Sequence, residues 1–343
     1  MNRPLPHPTR AFAATALAAV CAAGALAACG SDDESGSAAG TSTSAESAKP
    51  LTVGVLIPGF KNDGGYMQSA YEGLQRAEKE HGDKIKISMI ENVASADMPQ
   101  ALQNLASQNK VVISVGGQTD EALKTVVPSF PDVTFSELGG PNDSSENKSS
   151  YDPKQAEIAY VAGVAAALSS KTGKIQFVAG LEAPPIVNTA TEFANGAKHA
   201  KPDIKVLPPA YTGDFEDVAK SKEAALAGIA QGADVQYQIL NTGLKGLAQA
   251  AKEKGTLIIG GPLPKECKEG DGYLGHTRSD IGVSLEYTID SVLDGTWKGV
   301  DKPFGLNSDT GAADFTLCSG DPKVQAKIDE TIADIKSGKI KTI

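Results

Sequence analysis

Apolar residues recur along most of the chain in two alternating patterns, and each pattern predicts one kind of secondary structure. A short, nearly continuous apolar run such as 51–57 (LTVGVLI) is typical of a parallel strand that is buried on both faces. The segment 64–80 instead repeats its apolar residues every three or four positions, which predicts an amphipathic helix. The alternation continues as strands over 85–90, 111–115 and 133–138 and helices over 97–109 and 119–127. A loop over 139–150, rich in Gly, Pro, Asn, Asp and Ser, then marks a boundary.

A second series with the same alternation begins at residue 153. It predicts helices over 153–169, 189–199, 217–230, 242–254, 280–294 and 322–337 and strands over 174–179, 204–208, 234–240 and 256–260. Short strands are expected in the irregular stretch between the last two helices. Strict alternation of strands and helices favours parallel sheets covered by helices on both faces, and two series favour two such domains. The helix over 153–169 is rich in small residues, so we expect it to pack closely against a neighbour.

The first thirty residues follow neither pattern. Residues 1–10 contain two arginines and no acid, and 11–25 form an apolar run that is too short to cross a membrane. A basic head, a short apolar stretch and an exit of small residues indicate an export signal. Cys29 directly follows Leu-Ala-Ala, which resembles the bacterial lipobox, where the signal is cut before the cysteine and a lipid is attached to it. We therefore expect residues 1–28 to be removed; the alternative is an ordinary signal that is cut nearby.

Composition and charge narrow the class of protein. The 343 residues include 32 Lys or Arg and 42 Asp or Glu, which gives a formal net charge of −10. Nucleic acid is therefore not an expected partner, because phosphate binding needs clustered basic residues. After Cys29, residues 30–50 are mostly Ser, Gly, Thr, Ala and acids, so 29–50 is predicted to be a disordered, lipid-bearing tether. The remainder, 51–343, has the length of about two domains.

The chain shows no residue pattern of a catalytic or metal centre. His81, His199 and His276 are isolated from Cys or His at metal-ligand spacing, and neither a nucleophile elbow nor a phosphate-binding glycine loop occurs. We therefore expect no enzyme activity, no metal and no cofactor. Cys267 and Cys318 are candidates for a disulfide because an exported protein folds in an oxidising setting.

Several short motifs along the body resemble a single family. In order they are DGGYMQSAYEG (63–73), TGKI with FVAG (172–180), YTGDF followed by AK and KEAA (211–225), QGADV (231–235), DGTWKG (294–299) and IKSGKI (335–340). These segments resemble the signatures of the basic membrane protein family, also called the Bmp/Med or PnrA-like family. The resemblance covers essentially all of 51–343.

This resemblance implies a type I periplasmic-binding-protein fold, in which two doubly wound parallel-sheet lobes are joined by three chain crossings and hold a small ligand in their cleft. The implied N-terminal lobe is 51–151 with 279–305, and the implied C-terminal lobe is 152–278 with 306–343. The crossings are expected near 150–153, 276–280 and 304–307. The family also implies an ABC permease and ATPase as partners and, in characterised members, a purine nucleoside as ligand. The whole protein is then predicted to be a monomer, anchored by lipid to the outer face of the cell membrane.

Ligands of doubly wound sheets bind at the carboxyl ends of the strands, where helix N-termini present free N–H groups. The loops at those ends supply the candidate ligand residues Asp63, Tyr66, Met67, Gly117, Gln118, Glu137, Gly139, Asn241, Thr242, Gly261 and Arg278. Tyr66 corresponds to a family aromatic that stacks on a base, or it is the first core residue of its helix. Asp63 contacts ligand or caps its helix, and Thr242 caps a helix, contacts ligand, or does both. Arg278 corresponds to a basic hinge residue of the family, or it forms an ordinary salt bridge.

Three departures from the family pattern leave the ligand class open. Met67 replaces an Asn, and 261–264 reads Gly-Pro-Leu-Pro where the family has two Asp. The acid expected after the strand 133–138 is either shifted to Glu137 or replaced by Gly139. A buried polar ligand group that loses its partner costs about 1–3 kcal/mol, so a solute other than a nucleoside remains an alternative.

Three functions compete at this point. The leading one is a lipid-anchored receptor that delivers a solute to an ABC importer by hinge closure. The same chain is also consistent with a ligand sensor that reports to a membrane signalling protein. A surface hydrolase acting on nucleosides would need an acidic metal cluster at a strand end, and the sequence pattern does not show one.

Overall fold

A computed structural model of the protein describes residues 49–263, 267–268, 272–308 and 310–343. The predicted export signal, Cys29 and nearly all of the predicted tether lie outside these residues. The strands are β1 Leu51–Ile57, β2 Ile85–Glu91, β3 Val111–Val115, β4 Thr134–Leu138, β5 Lys148–Asp152, β6 Lys174–Ala179, β7 Lys205–Val206, β8 Ala210–Tyr211, β9 Val235–Ile239, β10 Leu257–Gly260, β11 Tyr273–Ser279, β12 Asp301–Pro303 and β13 Ala313–Leu317. The helices are α1 Tyr66–His81, α2 Met98–Gln108, α3 Asp120–Val126, α4 Gln155–Ser169, α5 Pro184–Ala200, α6 Val218–Ala230, α7 Leu244–Lys254, α8 Ile281–Leu293 and α9 Pro322–Lys336.

The strands form two sheets, which confirms the predicted α/β class. The first sheet has the order β12-β5-β4-β3-β1-β2 and is parallel throughout. The second has the order β13-β11-β10-β9-β6-β7, with β8 beside β6, and only its β11–β13 pair is antiparallel. Apolar helices cover both faces of each sheet, so the central strands are buried on both sides as their sequences predict.

The chain passes between the two sheets after β5, after β11 and after β12. From β5 it enters α4, which packs in the core of the second sheet, and from β11 it enters α8, which packs on the first. After β12, Phe304 still lies in the core of the first sheet and Leu306 already lies in that of the second. The last helix, α9, stays with the second sheet.

The predicted loop over 139–150 is wrong at its end, where the structure has strand β5. Its polar residues are buried instead of solvated because each finds a partner inside the protein. Lys148 forms an ion pair with Glu137 at 2.9 Å, and the hydroxyl groups of Ser149 and Ser136 are 2.7 Å apart. A polar strand of this kind lacks the apolar run on which the sequence prediction depends.

Helix α5 begins five residues earlier than predicted, at Pro184. Two prolines occupy its first turn, where the missing N–H groups would have no partner in the helix. The polar and proline-rich start therefore belongs to the helix, although its pattern is typical of a loop.

A disulfide joins Cys267 to Cys318 with their Cα atoms 5.2 Å apart. It links the segment between β10 and β11 to the residue that follows β13. The ring that it closes spans 51 residues and includes α8 and β12.

Glycines let α4 and α5 approach as closely as the small residues of α4 predict. A Cβ added to Gly163 would lie 2.0 Å from the Phe193 carbonyl oxygen, and one added to Gly196 would lie 2.0 Å from the Tyr160 carbonyl oxygen. The two backbones therefore touch, and side chains at these positions are excluded.

Replacement of Gly163 by Ala is expected to lower the free energy of unfolding by about 1–3 kcal/mol, because the new methyl group must push the helices apart. Urea unfolding followed by circular dichroism measures the change. Gln103→Ala on the exposed face of α2 serves as the control and should change stability by less than about 0.5 kcal/mol. Equal stabilities of the two variants would contradict the close approach.

Candidate functional site

Loops at the carboxyl ends of β1, β3 and β4 bring several of the predicted site residues together. The Tyr66 hydroxyl donates a hydrogen bond to the Leu138 carbonyl oxygen at 3.3 Å. A Cβ on Gly139, which has φ +87°, would lie 2.1 Å from that hydroxyl oxygen, so only glycine leaves room for the ring. A Cβ on Gly117 would lie 3.0 Å from the Gly139 carbonyl oxygen. Tyr66, Gly117 and Gly139 therefore form one half-buried surface of ring and bare backbone.

Gln118 lies beside this surface. Its side chain folds back over Gly116, where an added Cβ would be 2.3 Å from the Gln118 Oε1 atom. Gly116 has φ +90° and allows the turn in which this amide is held. The amide of Gln118 thus supplies a polar group at the edge of the Tyr66 surface.

The start of α1 also meets the loop after β9, which belongs to the second sheet. The Thr242 hydroxyl donates to the Asp63 carbonyl oxygen at 2.9 Å, and the Tyr66 N–H donates to Asn241 Oδ1 at 3.5 Å. A Cβ on Gly65 would lie only 2.3 Å from the same Asn241 oxygen. The structure therefore brings together four residues that the sequence assigns to the site, and they contact one another across the two sheets.

The carboxylate of Asp63 caps α1. It accepts hydrogen bonds from the backbone N–H groups of Gly65, Met67 and Gln68 at 2.8–3.2 Å. Burial raises the pKa of this carboxyl group, the three N–H donors oppose the shift, and the nearby charge of Glu216 adds to it. Of the two interpretations of Asp63, the structure shows the cap; its backbone oxygen is the atom that reaches the second sheet.

Thr242 does not cap α7, which begins at Leu244, because its hydroxyl is directed to Asp63 instead. Met67 packs in the apolar core of the first sheet. Met67, which stands where the family has an Asn, therefore adds an apolar side chain to the core. The local spacing of the motif alone does not reveal this.

Glu137 is fully buried and faces Lys148. The Lys148 ammonium group lies 2.9 Å from Glu137, 2.5 Å from Asp143 and 3.7 Å from Asp120. Burial raises the pKa of Glu137 to about 7, and the ion pair with Lys148 opposes the shift. Above Glu137, a Cβ on Gly140 would lie 2.1 Å from its carboxyl carbon. The carboxylate of Glu137 therefore packs directly against the loop at 139–140.

Gly261 and Arg278 lie at the carboxyl ends of β10 and β11. The Gly261 carbonyl oxygen accepts a hydrogen bond from Gln238 at 3.0 Å, and the peptide bond between Gly261 and Pro262 is cis. Arg278 is half-exposed, and its Nη2 atom lies 3.4 Å from Asp280 Oδ2. Of the two interpretations of Arg278, the structure therefore has the salt bridge. Its Nε atom is buried and has no hydrogen-bond partner among the described residues.

Two groups of side chains in the described ranges bring three potential metal ligands within 4.8 Å of one another. One is Cys267, Cys318 and His276, in which both sulfur atoms are already joined in the disulfide. The other is Asp120, Glu137 and Asp143, which surround the Lys148 ammonium group. The tertiary structure thus assembles groups that are far apart in the sequence, and each group has a covalent or ionic partner within the chain.

Sequence reasoning missed three charged residues that organise this region. Lys148 pairs with Glu137, Asp280 accepts hydrogen bonds from Ser69 and Arg76, and Glu216 accepts them from Asn241 and Thr242. Glu216 directly follows the YTGDF motif, which is the one local signal that points to it. Within the described residues, no helix is both long and apolar enough to cross a membrane.

Two doubly wound sheets that meet through the loops at their carboxyl strand ends are typical of the solute-binding proteins of ABC transporters. Solved structures share this fold. A solute-binding protein of an ABC transporter system from Aeropyrum pernix superposes with a TM-score of 0.76 at 21% identity, covering 86% of this chain and 93% of that one. A 5-methylthioribose transporter solute-binding protein from Thermotoga lettingae superposes with a TM-score of 0.61 at 10% identity, covering 83% of this chain and 94% of that one. These likenesses show the fold.

The sequence model of the family described as ABC transporter substrate-binding protein, PnrA-like, matches residues 51–326, and the chain belongs to this family. The resemblance predicted from the motifs is therefore confirmed. A purine-binding protein of Brucella abortus is 30% identical over 86% of this chain and 84% of its own length. The nucleoside-binding protein BmpA of Lactococcus lactis is 28% identical over 96% of this chain and 97% of its own. The protein is thus a substrate-binding protein of an ABC transporter, and not an enzyme, as predicted.

The buried Glu137 makes stability depend on pH. Its carboxyl group holds a proton up to about pH 7 in the folded protein but only to its ordinary value of 4.5 when unfolded, so rising pH between these values favours unfolding. The free energy of unfolding of the wild type should fall between pH 5 and 7 by more than that of Glu137→Gln, with a difference of up to about 1.4 kcal/mol per pH unit. Urea unfolding at several pH values measures this difference, and parallel curves for the two proteins would contradict it.

Proposed function

We propose that this protein is an extracytoplasmic receptor that captures a purine nucleoside, or a related small polar molecule, and delivers it to an ABC importer. The observation that carries the proposal is the meeting of two sheets at one spot, where the start of α1 and the loop after β9 touch beside the Tyr66 surface. A ligand held there contacts both sheets, so its binding favours the arrangement in which they are together.

The chemistry of the Tyr66 surface supports a ligand with a flat ring and polar edges. The half-buried Tyr66 ring offers a stacking face, which contributes about 0.5–1.5 kcal/mol beyond area burial. The bare backbone of Gly117 and Gly139 allows close approach, and the amide of the exposed Gln118 offers a polar contact. The names of the relatives from Brucella abortus and Lactococcus lactis point to purines and nucleosides.

The proposed mechanism is closure of two lobes around the ligand. The lobes are 51–151 with 279–305 and 152–278 with 306–343. Carboxylates tie two of the three passages between them. Glu157 in α4 accepts a hydrogen bond from the Leu306 N–H at 2.7 Å, and Asp280 between β11 and α8 accepts one from Gly282 at 3.0 Å. The proposed hinge consists of the few residues of each passage that change their backbone angles when the lobes close.

The proposed location is the outer face of the cell membrane, with a lipid on Cys29 and the tether 29–50 linking it to the folded body. Support comes from the export pattern at the N-terminus and from membership in an ABC substrate-binding family. A sensor that reports to a membrane signalling protein would use the same cleft and differ in its partner.

Thermal unfolding of the purified protein with adenosine, guanosine, inosine, free bases, sugars and small acids tests the ligand class. A ligand present at 100 times its Kd should stabilise the fold by about 2.7 kcal/mol. Tyr66→Ala should weaken nucleoside binding about tenfold because the stacking face is lost, whereas Tyr66→Phe should keep most of the affinity. Stabilisation by another class of solute and by no nucleoside would reject the nucleoside assignment and leave the receptor class intact.

Two exposed apolar side chains follow the carboxyl ends of strand β1 in the first sheet and strand β6 in the second. Phe60 is 56% exposed and Leu181 is 45% exposed. We propose these two side chains as apolar contacts of the permease.

Replacement of Phe60 and Leu181 by Ser should abolish stimulation of the ABC ATPase in proteoliposomes at saturating ligand, because docking loses its apolar contact. Ligand affinity is measured separately, since Phe60 lies in the loop after β1 that also carries Asp63. Leu168→Ser, at a 37% exposed site on α4, is the matched control. Full stimulation by the double variant would contradict this docking surface. Absence of stimulation by the wild-type protein would favour the sensor.

A further inference from the structure

We propose that Glu216 is a positioning residue, which fixes the side-chain amide of Asn241 so that its oxygen faces the start of α1 and holds the two sheets together. The inference deepens the proposed function, since it names the residue that sets the polarity of the contact between the sheets.

Both carboxylate oxygens of Glu216 are used by the loop after β9. Asn241 Nδ2 donates to Glu216 Oε1 at 2.7 Å, and the Thr242 N–H donates to Glu216 Oε2 at 3.1 Å. A carboxylate only accepts hydrogen bonds, so Glu216 holds the NH₂ side of the amide. The oxygen of Asn241 is thereby left for the opposite direction, toward Tyr66 and Gly65.

This orientation decides whether the contact attracts or repels. The first N–H groups of a helix lack partners within the helix and carry its partial positive charge. The Tyr66 N–H therefore attracts the Asn241 oxygen, whereas an amide turned by half a rotation would place its NH₂ group against another donor. The Tyr66 N–H is 3.5 Å from the Asn241 oxygen, whereas Glu216 accepts from the Asn241 Nδ2 atom at 2.7 Å, so Glu216 makes the shorter of the two hydrogen bonds that orient the amide.

Glu216 is itself held in place. Its N–H donates to the Asp214 carboxylate at 2.7 Å, and the Phe215 carbonyl oxygen accepts hydrogen bonds from the N–H groups of Asn241 and Gly243 at 3.1 and 3.0 Å. The segment before α6 and the loop after β9 thus form one unit on the second sheet, and this unit presents the Asn241 oxygen to the first.

Hydrogen exchange over residues 64–68, measured by mass spectrometry without added ligand, tests the proposal directly. Glu216→Gln has the same size but only one accepting oxygen, so it cannot accept from both Asn241 Nδ2 and the Thr242 N–H. We expect the Tyr66 N–H in this peptide to exchange at least fivefold faster in this variant, whereas the N–H groups of Gly65, Met67 and Gln68 stay bonded to Asp63. Glu223→Gln, which removes the same charge from an exposed position on α6, should exchange like the wild type.

A double variant provides the decisive control. In Glu216→Gln combined with Asn241→Asp, the introduced amide donates to the introduced carboxylate and still accepts from the Thr242 N–H. The second carboxylate oxygen again faces Tyr66, so the protection lost in Glu216→Gln should return. The proposal is overturned if Glu216→Gln exchanges like the wild type, or if the double variant exchanges as fast as Glu216→Gln. Should Glu216→Gln not fold, a folded double variant with wild-type exchange still supports the coupling, and an unprotected one rejects it.

Binding of adenosine separates this inference from the proposed function. If the wild type binds adenosine, the Kd should rise about tenfold in Glu216→Gln and return toward the wild-type value in the double variant. A wild type that does not bind adenosine would count against the nucleoside assignment, and the exchange experiment would still decide the role of Glu216.

Discussion

The free N–H groups at the start of α1 are the constraint on which the rest of the site depends. Helix donors that lack partners must find acceptors, and here the acceptors come from two places. Asp63 caps the donors of Gly65, Met67 and Gln68 from within the same segment, whereas Tyr66 donates to Asn241 of the second sheet. The start of α1 therefore belongs to both sheets. The hydrogen bonds at this helix start hold the Tyr66 ring against Gly139 and place the loop after β9 of the second sheet beside it.

Buried charges follow the same rule elsewhere around the site. A buried ion is tolerated when it is paired, and each of these ions holds an irregular segment in one geometry. The ion pair of Lys148 and Glu137 packs against the loop between β4 and β5 and fixes its geometry. Glu157 accepts a hydrogen bond from the Leu306 N–H. Asp280, at the passage into α8, accepts hydrogen bonds from Arg76 and Ser69. Polar groups thus define the loops and passages, while apolar side chains hold each sheet to its helices.

The elements with strong periodicity were predictable to within a few residues. The strands β1 and β3 and the helix α4 carry apolar patterns that depend on local spacing alone. Strand β5 was missed because Lys148, Ser149 and Ser150 read as a polar loop until their buried partners are known. The early start of α5 was missed because prolines that usually break helices are tolerated in the first turn.

The sequence by itself determined the α/β class and the family, and it predicted a candidate site at the carboxyl ends of the strands, since the alternation of elements, helix spacing and short motifs are local properties of the chain. Only the tertiary structure decided which side chains face one another. The partners Tyr66 and Asn241 are 175 positions apart, and Arg76 and Asp280 are 204 apart. An isolated Asp, Glu or Asn has the same local sequence pattern whether it caps a helix, pairs with a buried lysine or faces a ligand. For the residues that pair across the two sheets, folding brings the partner to the side chain, and that partner lies far away in the sequence.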